Sequence, residues 1–210
     1  MKQDPLEVFQ TLIATAPQRL VGSTAPEQLA AHIEDALGAL PLLAGEAGPL
    51  VDVGSGAGLP GVPILLARTD LAGALLDSRA KRCAHLQQVV EATGLADRVC
   101  VVNARAEELA ERDAYGIAVA RALAPPPVAL ELCLPLVRPG GACLLHAGAV
   151  DPTALEQAAQ ALAARVERIE PVPGFAERTR VLVRKTGPTP AGFPRRVGAA
   201  ARDPIVRSGG

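Results

Sequence analysis

Val51-Asp52-Val53-Gly54-Ser55-Gly56-Ala57-Gly58-Leu59-Pro60-Gly61 places four glycines and a proline within eleven residues. A short apolar run precedes this stretch, and an apolar segment of helical character follows it. Glycine costs backbone entropy on folding, so such a cluster points to a tight turn that lies close to something. A strand, a glycine turn and a helix N-terminus together form a cradle for a nucleotide or cofactor. The bland alternative is a tight strand-to-helix turn with no ligand.

The surrounding pattern agrees with that reading. Residues 50–53, 72–76, 98–102, 116–120, 142–146, 165–170 and 179–184 read as strands. Helices are predicted over 59–68, from a Ser78 cap to Gly94, over 127–137, and from Asp151-Pro152 onward. Strands regularly separated by helices imply parallel βαβ units with right-handed crossovers. The last two strands are joined by a short link around Pro173-Gly174, so one of them should be antiparallel. The segment Arg138-Pro139-Gly140-Gly141 reads as a turn before the fifth strand.

Ahead of the first strand, Asp4-Pro5 opens a helix with Leu6, Phe9, Leu12 and Ile13 on one face. Gly22-Ser23 breaks it, and Thr24 with Glu27 has capping-box spacing for a second helix. The expected organisation is an N-terminal helical region over 1–45, a main domain over 46–186, and a basic tail rich in Pro and Gly over 187–210.

Composition narrows the function. The 210 residues carry a net charge of −1 and only four aromatic side chains, Phe9, Tyr115, Phe175 and Phe193. RNA-binding modules that work by stacking bases need more exposed aromatics than that. Residues 176–210 nevertheless hold eight basic residues against two acidic ones, a balance that attracts phosphate or simply keeps a tail solvated. Cys83, Cys100, Cys133 and Cys143 lack C-x-x-C spacing and read as buried thiols. His32, His85 and His146 are not at metal-ligand spacing, so no metal site is expected. The N-terminus lacks signal-peptide architecture and no apolar run approaches membrane-spanning length, which predicts a cytoplasmic protein without a membrane partner. The scarcity of aromatics and of long apolar faces points to a monomer.

Two cofactors compete for the loop. Residues 56–61 formally match the dinucleotide fingerprint G-x-G-x-x-G, with Asp77 where a ribose-binding acid belongs. The earlier frame, Asp52 to Gly58, reads D-x-G-x-G-x-G. A carboxylate beside a pyrophosphate repels it, whereas the sulfonium and ammonium of S-adenosylmethionine are attracted. There is also no second domain for an oxidisable substrate. S-adenosylmethionine is therefore favoured over a dinucleotide.

With these elements in order, the chain resembles the bacterial 16S ribosomal RNA guanine-N7 methyltransferases, also called glucose-inhibited division protein B. The resemblance covers about residues 32–185 and a short match near the C-terminus. It rests on Asp52 to Gly61 with its Leu59-Pro60-Gly61 ending, and on Leu76-Asp77-Ser78 followed by Lys81-Arg82. Arg105-Ala106-Glu107-Glu108 and Ala120-Arg121-Ala122 complete it. Phe193-Pro194-Arg195-Arg196 is similar to the basic tail of many members. The chain departs from the family's pattern in its abbreviated N-terminus, in Ala147-Gly148 where a Lys-Gly is usual, and in Arg178-Thr179 where an Arg-His is usual.

The resemblance implies an α/β, Rossmann-like class I methyltransferase with a mostly parallel seven-stranded sheet. It implies a cofactor site built from Asp52, Gly54, Ser55, Gly56, Gly58, Leu59, Asp77, Ser78, Ala106, Glu107 and Arg121. Lys81, Arg82, Arg195 and Arg196 would contact 16S ribosomal RNA or a small-subunit assembly intermediate. On this reading, removing the chain after Lys185 weakens RNA binding and leaves cofactor affinity intact. Guanine N7 carries a lone pair and no proton, so no catalytic acid or base is needed, and Arg121 is the candidate for orienting the nucleotide. Methylation of a small molecule or protein on the same fold, and a non-catalytic role in ribosome assembly, stay open. His85 and His146 read as structural, and His32 as packing the N-terminal helices on the sheet.

Overall fold

A computed structural model of the chain describes residues 3–17, 20–22, 24–175 and 177–206. Ser23 and Arg207, which figure in the sequence reading, lie outside these residues. All seven expected strands are present: β1 (Leu50–Val53), β2 (Gly73–Asp77), β3 (Val99–Asn103), β4 (Tyr115–Arg121), β5 (Val137–Ala147), β6 (Ala164–Pro171) and β7 (Thr179–Lys185). They form one sheet in the order β3-β2-β1-β4-β5-β7-β6. β1 pairs in parallel with both β2 and β4, whereas β7 is antiparallel to both of its neighbours. The chain order reverses beside β1, between β2 and β4, and an open α/β sheet binds its ligands outside the strand ends at such a switch point. The glycine loop leaves β1 there.

The helices are α1 (Pro5–Ala14), α2 (Pro26–Leu37), α3 (Gly61–Ala67), α4 (Ala80–Ala92), α5 (Pro126–Cys133), α6 (Pro152–Ala161) and the short α7 (Ala199–Arg202). Phe9 and Ile13 of α1 and Leu29 and Ile33 of α2 are buried in one apolar cluster with Leu50, Leu59 and Leu75. The N-terminal helices thus complete the core on one face of the sheet. Asp4 caps α1 by accepting the Leu6 amide at 3.0 Å, as expected.

Three local expectations are corrected. Thr24 and Glu27 form no capping box; α2 starts from Ala25 with Pro26 in its first turn, where a missing N–H costs nothing. Ser78 does not cap α4, because the Asp77 carboxylate takes the Arg79 amide at 2.9 Å and the helix begins two residues later. Residues 137–141 are not a turn after a helix. They belong to β5, whose register against β4 slips between Tyr115 and Ile117 while Gly140, at φ +83°, absorbs the irregularity.

The tail departs most from its composition. Phe193, Ile205 and Val206 pack against the second core cluster, which contains Ala106, Leu130 and Cys133. Its first residues are held by Lys185, which is fully buried. The Lys185 ammonium donates to the Leu134 carbonyl at 2.9 Å and to the Thr189 hydroxyl at 2.8 Å, with Asp113 at 3.8 Å. Three of the cysteines are buried as expected, while Cys100 is exposed on the edge strand β3. Among the described residues, no helix is long and apolar enough to cross a membrane, and no group of three His, Cys, Asp or Glu is placed to hold a metal.

Candidate functional site

The loop between β1 and α3 is fixed by two carboxylates. Asp52 is fully buried, and its Oδ2 accepts the Ser55 hydroxyl at 2.7 Å and the Gly61 amide at 3.0 Å. A Cβ on Gly61 would lie 2.6 Å from the Asp52 side chain, so only glycine lets the helix start this close. Burial pushes the Asp52 carboxyl up, the Ser55 and Gly61 contacts offset part of that, and the result is about 6. Asp77, at the end of β2, accepts the Gly56 amide at 3.0 Å and has Arg82 at 3.4 Å. The Gly54 and Ser55 amides both donate to the Leu76 carbonyl. Gly54, Gly56 and Gly58 all have positive φ, and a Cβ on Gly54 would meet Leu123 at 2.5 Å.

Two cavities adjoin across this loop, and Gly54, Leu123 and Ala124 line both. The smaller, about 240 Å³, has apolar walls from Val53, Leu76, Ala106 and Val128, with Asp77, Ser78 and Glu107 at its edge. The larger, about 600 Å³, is bounded by Ser55, Gly56, Leu59, Arg82, Arg121 and residues of α2, β5 and the β6–β7 connection. The structure therefore brings together the sequence-predicted Gly54, Ser55, Gly56, Leu59, Asp77, Ser78, Ala106, Glu107 and Arg121.

Two predicted residues, Asp52 and Gly58, sit behind the loop instead. The Asp52 carboxylate is buried under it and shapes it from below, and the Ser55 hydroxyl is committed to Asp52. Gly58 packs on Phe9 and Val62 and gives the loop room to turn. Of the predicted RNA contacts, Lys81 and Arg196 are exposed, and Arg82 leans over the loop toward Asp77. Arg195 faces inward on Glu131.

Sequence reasoning missed the far wall of the larger cavity. Asp35 of α2 is buried there, with Arg180 Nη2 at 3.2 Å, Arg178 Nη1 at 3.4 Å and His146 Nδ1 at 3.6 Å. Burial alone would raise the Asp35 pKa; the nearby His146 ring and then the two guanidiniums outweigh it and bring the carboxyl down to about 2. His146 and His32 are pushed down from 6.5, chiefly by burial, so both rings are neutral near pH 7. Burial also lowers Arg121, against the pull of Asp35.

Several polar atoms of residues that line this cavity are buried with no hydrogen-bond partner among the described residues: Arg121 Nη1, His32 Nδ1 and His146 Nε2. A buried unpaired polar group costs free energy, so the clustering of such groups in the residues around one cavity marks that wall as its polar face. His32 and His146 are thus cavity-wall residues as well as packing ones. The signal available in the sequence was an acid and a histidine three residues apart on α2 beside an apolar stripe. Nothing local tied them to Arg178, about 140 residues later.

A model of the family described as rRNA small subunit methyltransferase G matches residues 3–183. A ribosomal RNA small subunit methyltransferase G of Rubrobacter xylanophilus is 37% identical over 98% of this chain and 84% of its own length. One from Roseiflexus sp. (strain RS-1) is 41% identical over 74% of this chain and 70% of its own. Among solved structures, magnesium protoporphyrin IX methyltransferase from Synechocystis PCC 6803 superposes with a TM-score of 0.62 at 12% identity, covering 87% of this chain and 98% of that one. The mitomycin 7-O-methyltransferase MmcR gives 0.61 at 18% identity, covering 85% and 60%. At these identities the structural likeness speaks for the fold: a Rossmann-like class I methyltransferase sheet.

Proposed function

This chain belongs to the rRNA small subunit methyltransferase G family, and we propose that it methylates N7 of a guanine in small-subunit (16S) ribosomal RNA, with S-adenosylmethionine as donor. The single observation that carries the acceptor side is the cluster of unpaired buried polar atoms on the 600 Å³ cavity, next to the glycine loop. A ribosomal RNA substrate also implies the cytoplasm, where ribosomes are assembled.

The residues of the smaller cavity fit the adenosyl part of the donor. Its apolar walls suit a purine face, and each Asp77 carboxylate oxygen retains acceptor capacity for ribose hydroxyls beyond the bonds it already makes. Positive φ at Gly54 and Gly56 brings the backbone to the cavity edge. When bound, the donor supplies an electrophilic methyl group on a sulfonium.

The protein's own part is positioning. N7 has a lone pair and no proton, so the site needs no general base. Asp35 is held as a carboxylate by its guanidinium partners and is committed to them. Arg121, whose Nη1 has no partner among the described residues, lines the cavity with Arg178, and its guanidinium suits an acceptor such as guanine O6 or a phosphate oxygen. Neutral His32 and His146 add polar contacts without adding positive charge beside a base that becomes cationic. Orientation of this kind supplies on the order of 7–11 kcal/mol of barrier reduction. The base must be unstacked to reach the cavity, which favours a loop or a partly assembled particle as substrate.

The test is a pair of transcripts of the target RNA, one with guanine and one with 7-deazaguanine throughout. Labelled methyl is expected in the first alone. Equal labelling of both would show transfer to another atom.

A further inference from the structure

The C-terminal segment that reads as a basic arm is built into the wall of the smaller cavity. Gly198, Ala200 and Ala201 line it opposite Asp77 and Ala106. Three features hold the segment there. Arg195 grips the Glu131 carboxylate at two points, Nε to Oε1 at 2.8 Å and Nη2 to Oε2 at 2.6 Å, and Glu131 is only 1% exposed. The Gly198 amide, on a residue at φ +73°, donates to Glu107 Oε1 at 3.1 Å. Phe193, Ile205 and Val206 pack on the core beside it.

We propose that residues 187–206 form a strap that completes the adenosine subsite, with Arg195 as its positioning residue. This rests on the cofactor reading above and assigns it a part that the basic composition conceals. Arg195 acts through two links. By clamping Glu131 on α5 it fixes the strap beside Val128 and Leu132, which line the same cavity. By setting the path into Gly198 it holds the amide that orients Glu107.

The strap and the cofactor are then coupled. A ligand that binds only the strapped form stabilises that form in proportion to its occupancy, and the strap raises affinity for the ligand by the same factor. On this proposal losing the tail weakens cofactor binding, contrary to the expectation attached to the resemblance.

Trypsin reads the strap directly in the intact chain, because Arg196 and Arg202 are exposed cleavage points within it. Saturating S-adenosylmethionine is expected to slow cleavage after Arg196 and Arg202 about tenfold while leaving cleavage after Arg168, exposed on the edge strand β6 and lining neither cavity, unchanged. In calorimetry, Arg195→Ala and a chain ending at Thr186 are both expected to bind S-adenosylmethionine at least tenfold more weakly. Arg195→Lys, which keeps the charge but not the planar fork, should recover part of the loss. Strap cleavage indifferent to S-adenosylmethionine, or a truncated chain binding within twofold of the full one, would overturn the proposal. Absence of binding to the full chain would overturn the cofactor reading and the strap with it. The protection measurement needs no variant, so a misfolded Arg195→Ala protein leaves the test intact.

Discussion

Asp52→Ala is expected to lower the affinity for S-adenosylmethionine by at least about 100-fold, roughly 3 kcal/mol. The substitution takes away the acceptor that ties Ser55 to Gly61 across the loop. It leaves a buried hydroxyl and a buried amide unpaired, each costing about 1–3 kcal/mol, and opens a void beneath the cradle. Asp52→Asn separates shape from charge. Its amide oxygen still accepts from Ser55 and Gly61, so affinity is expected to stay within about tenfold of the parent. An Asn variant as weak as the Ala variant would instead mean that the carboxylate charge is felt by the donor's cationic end. Calorimetric titration of the three proteins decides between them.

The same residue gives a pH signature. The carboxyl titrates at about 6 in the folded chain, above the ordinary value of 3.8. The folded state therefore holds a proton that the unfolded chain releases, and this contribution is present below about pH 4 and lost as pH rises through 6. Two pH units correspond to about 3 kcal/mol. Unfolding of the ligand-free protein should show its stability advantage over Asp52→Asn shrinking by that order between pH 4 and 7. An advantage that grows with pH would contradict the placement of Asp52 under the loop.

Arg121→Ala is the second large effect. Loss of its unpaired guanidinium N–H from the acceptor cavity is expected to cut kcat/KM for the RNA by at least about 100-fold, roughly 3 kcal/mol of transition-state stabilisation. S-adenosylmethionine affinity should change by no more than about threefold, because Arg121 lines the larger cavity and not the smaller. A cofactor loss as large as the loss in kcat/KM would place Arg121 at the donor instead. Arg178→Ala is expected to act more mildly and mainly through KM, since its partly exposed side chain also serves Asp35.

The sheet and the donor side were legible because their signals are local. Apolar runs mark the inner strands and an alternating charged-apolar pattern marks β6, and the loop concentrates its glycines and both tying acids between Asp52 and Asp77. Of the larger cavity only the loop residues and Arg121 were legible, and its far wall was not, for the opposite reason. Asp35, His146 and Arg178 meet only because α2 packs near the ends of β5 and β7, and their spacing along the chain carries no trace of that. The tail misled through composition: Pro, Gly and Arg look solvated until Arg195 is paired with a carboxylate at Glu131, itself hidden in an apolar helix. Lys185 is a similar case, a cation at the end of a strand whose burial depends on Leu134 and Thr189 closing over it.

Methylation at guanine N7 is read most directly by nucleoside analysis with mass spectrometry. Unmodified, deproteinised small-subunit RNA would be incubated with the purified chain and S-adenosylmethionine, then digested. One methylated nucleoside is expected, 7-methylguanosine, formed in proportion to enzyme and time. A different methylated nucleoside, or none while the donor still binds, would contradict it.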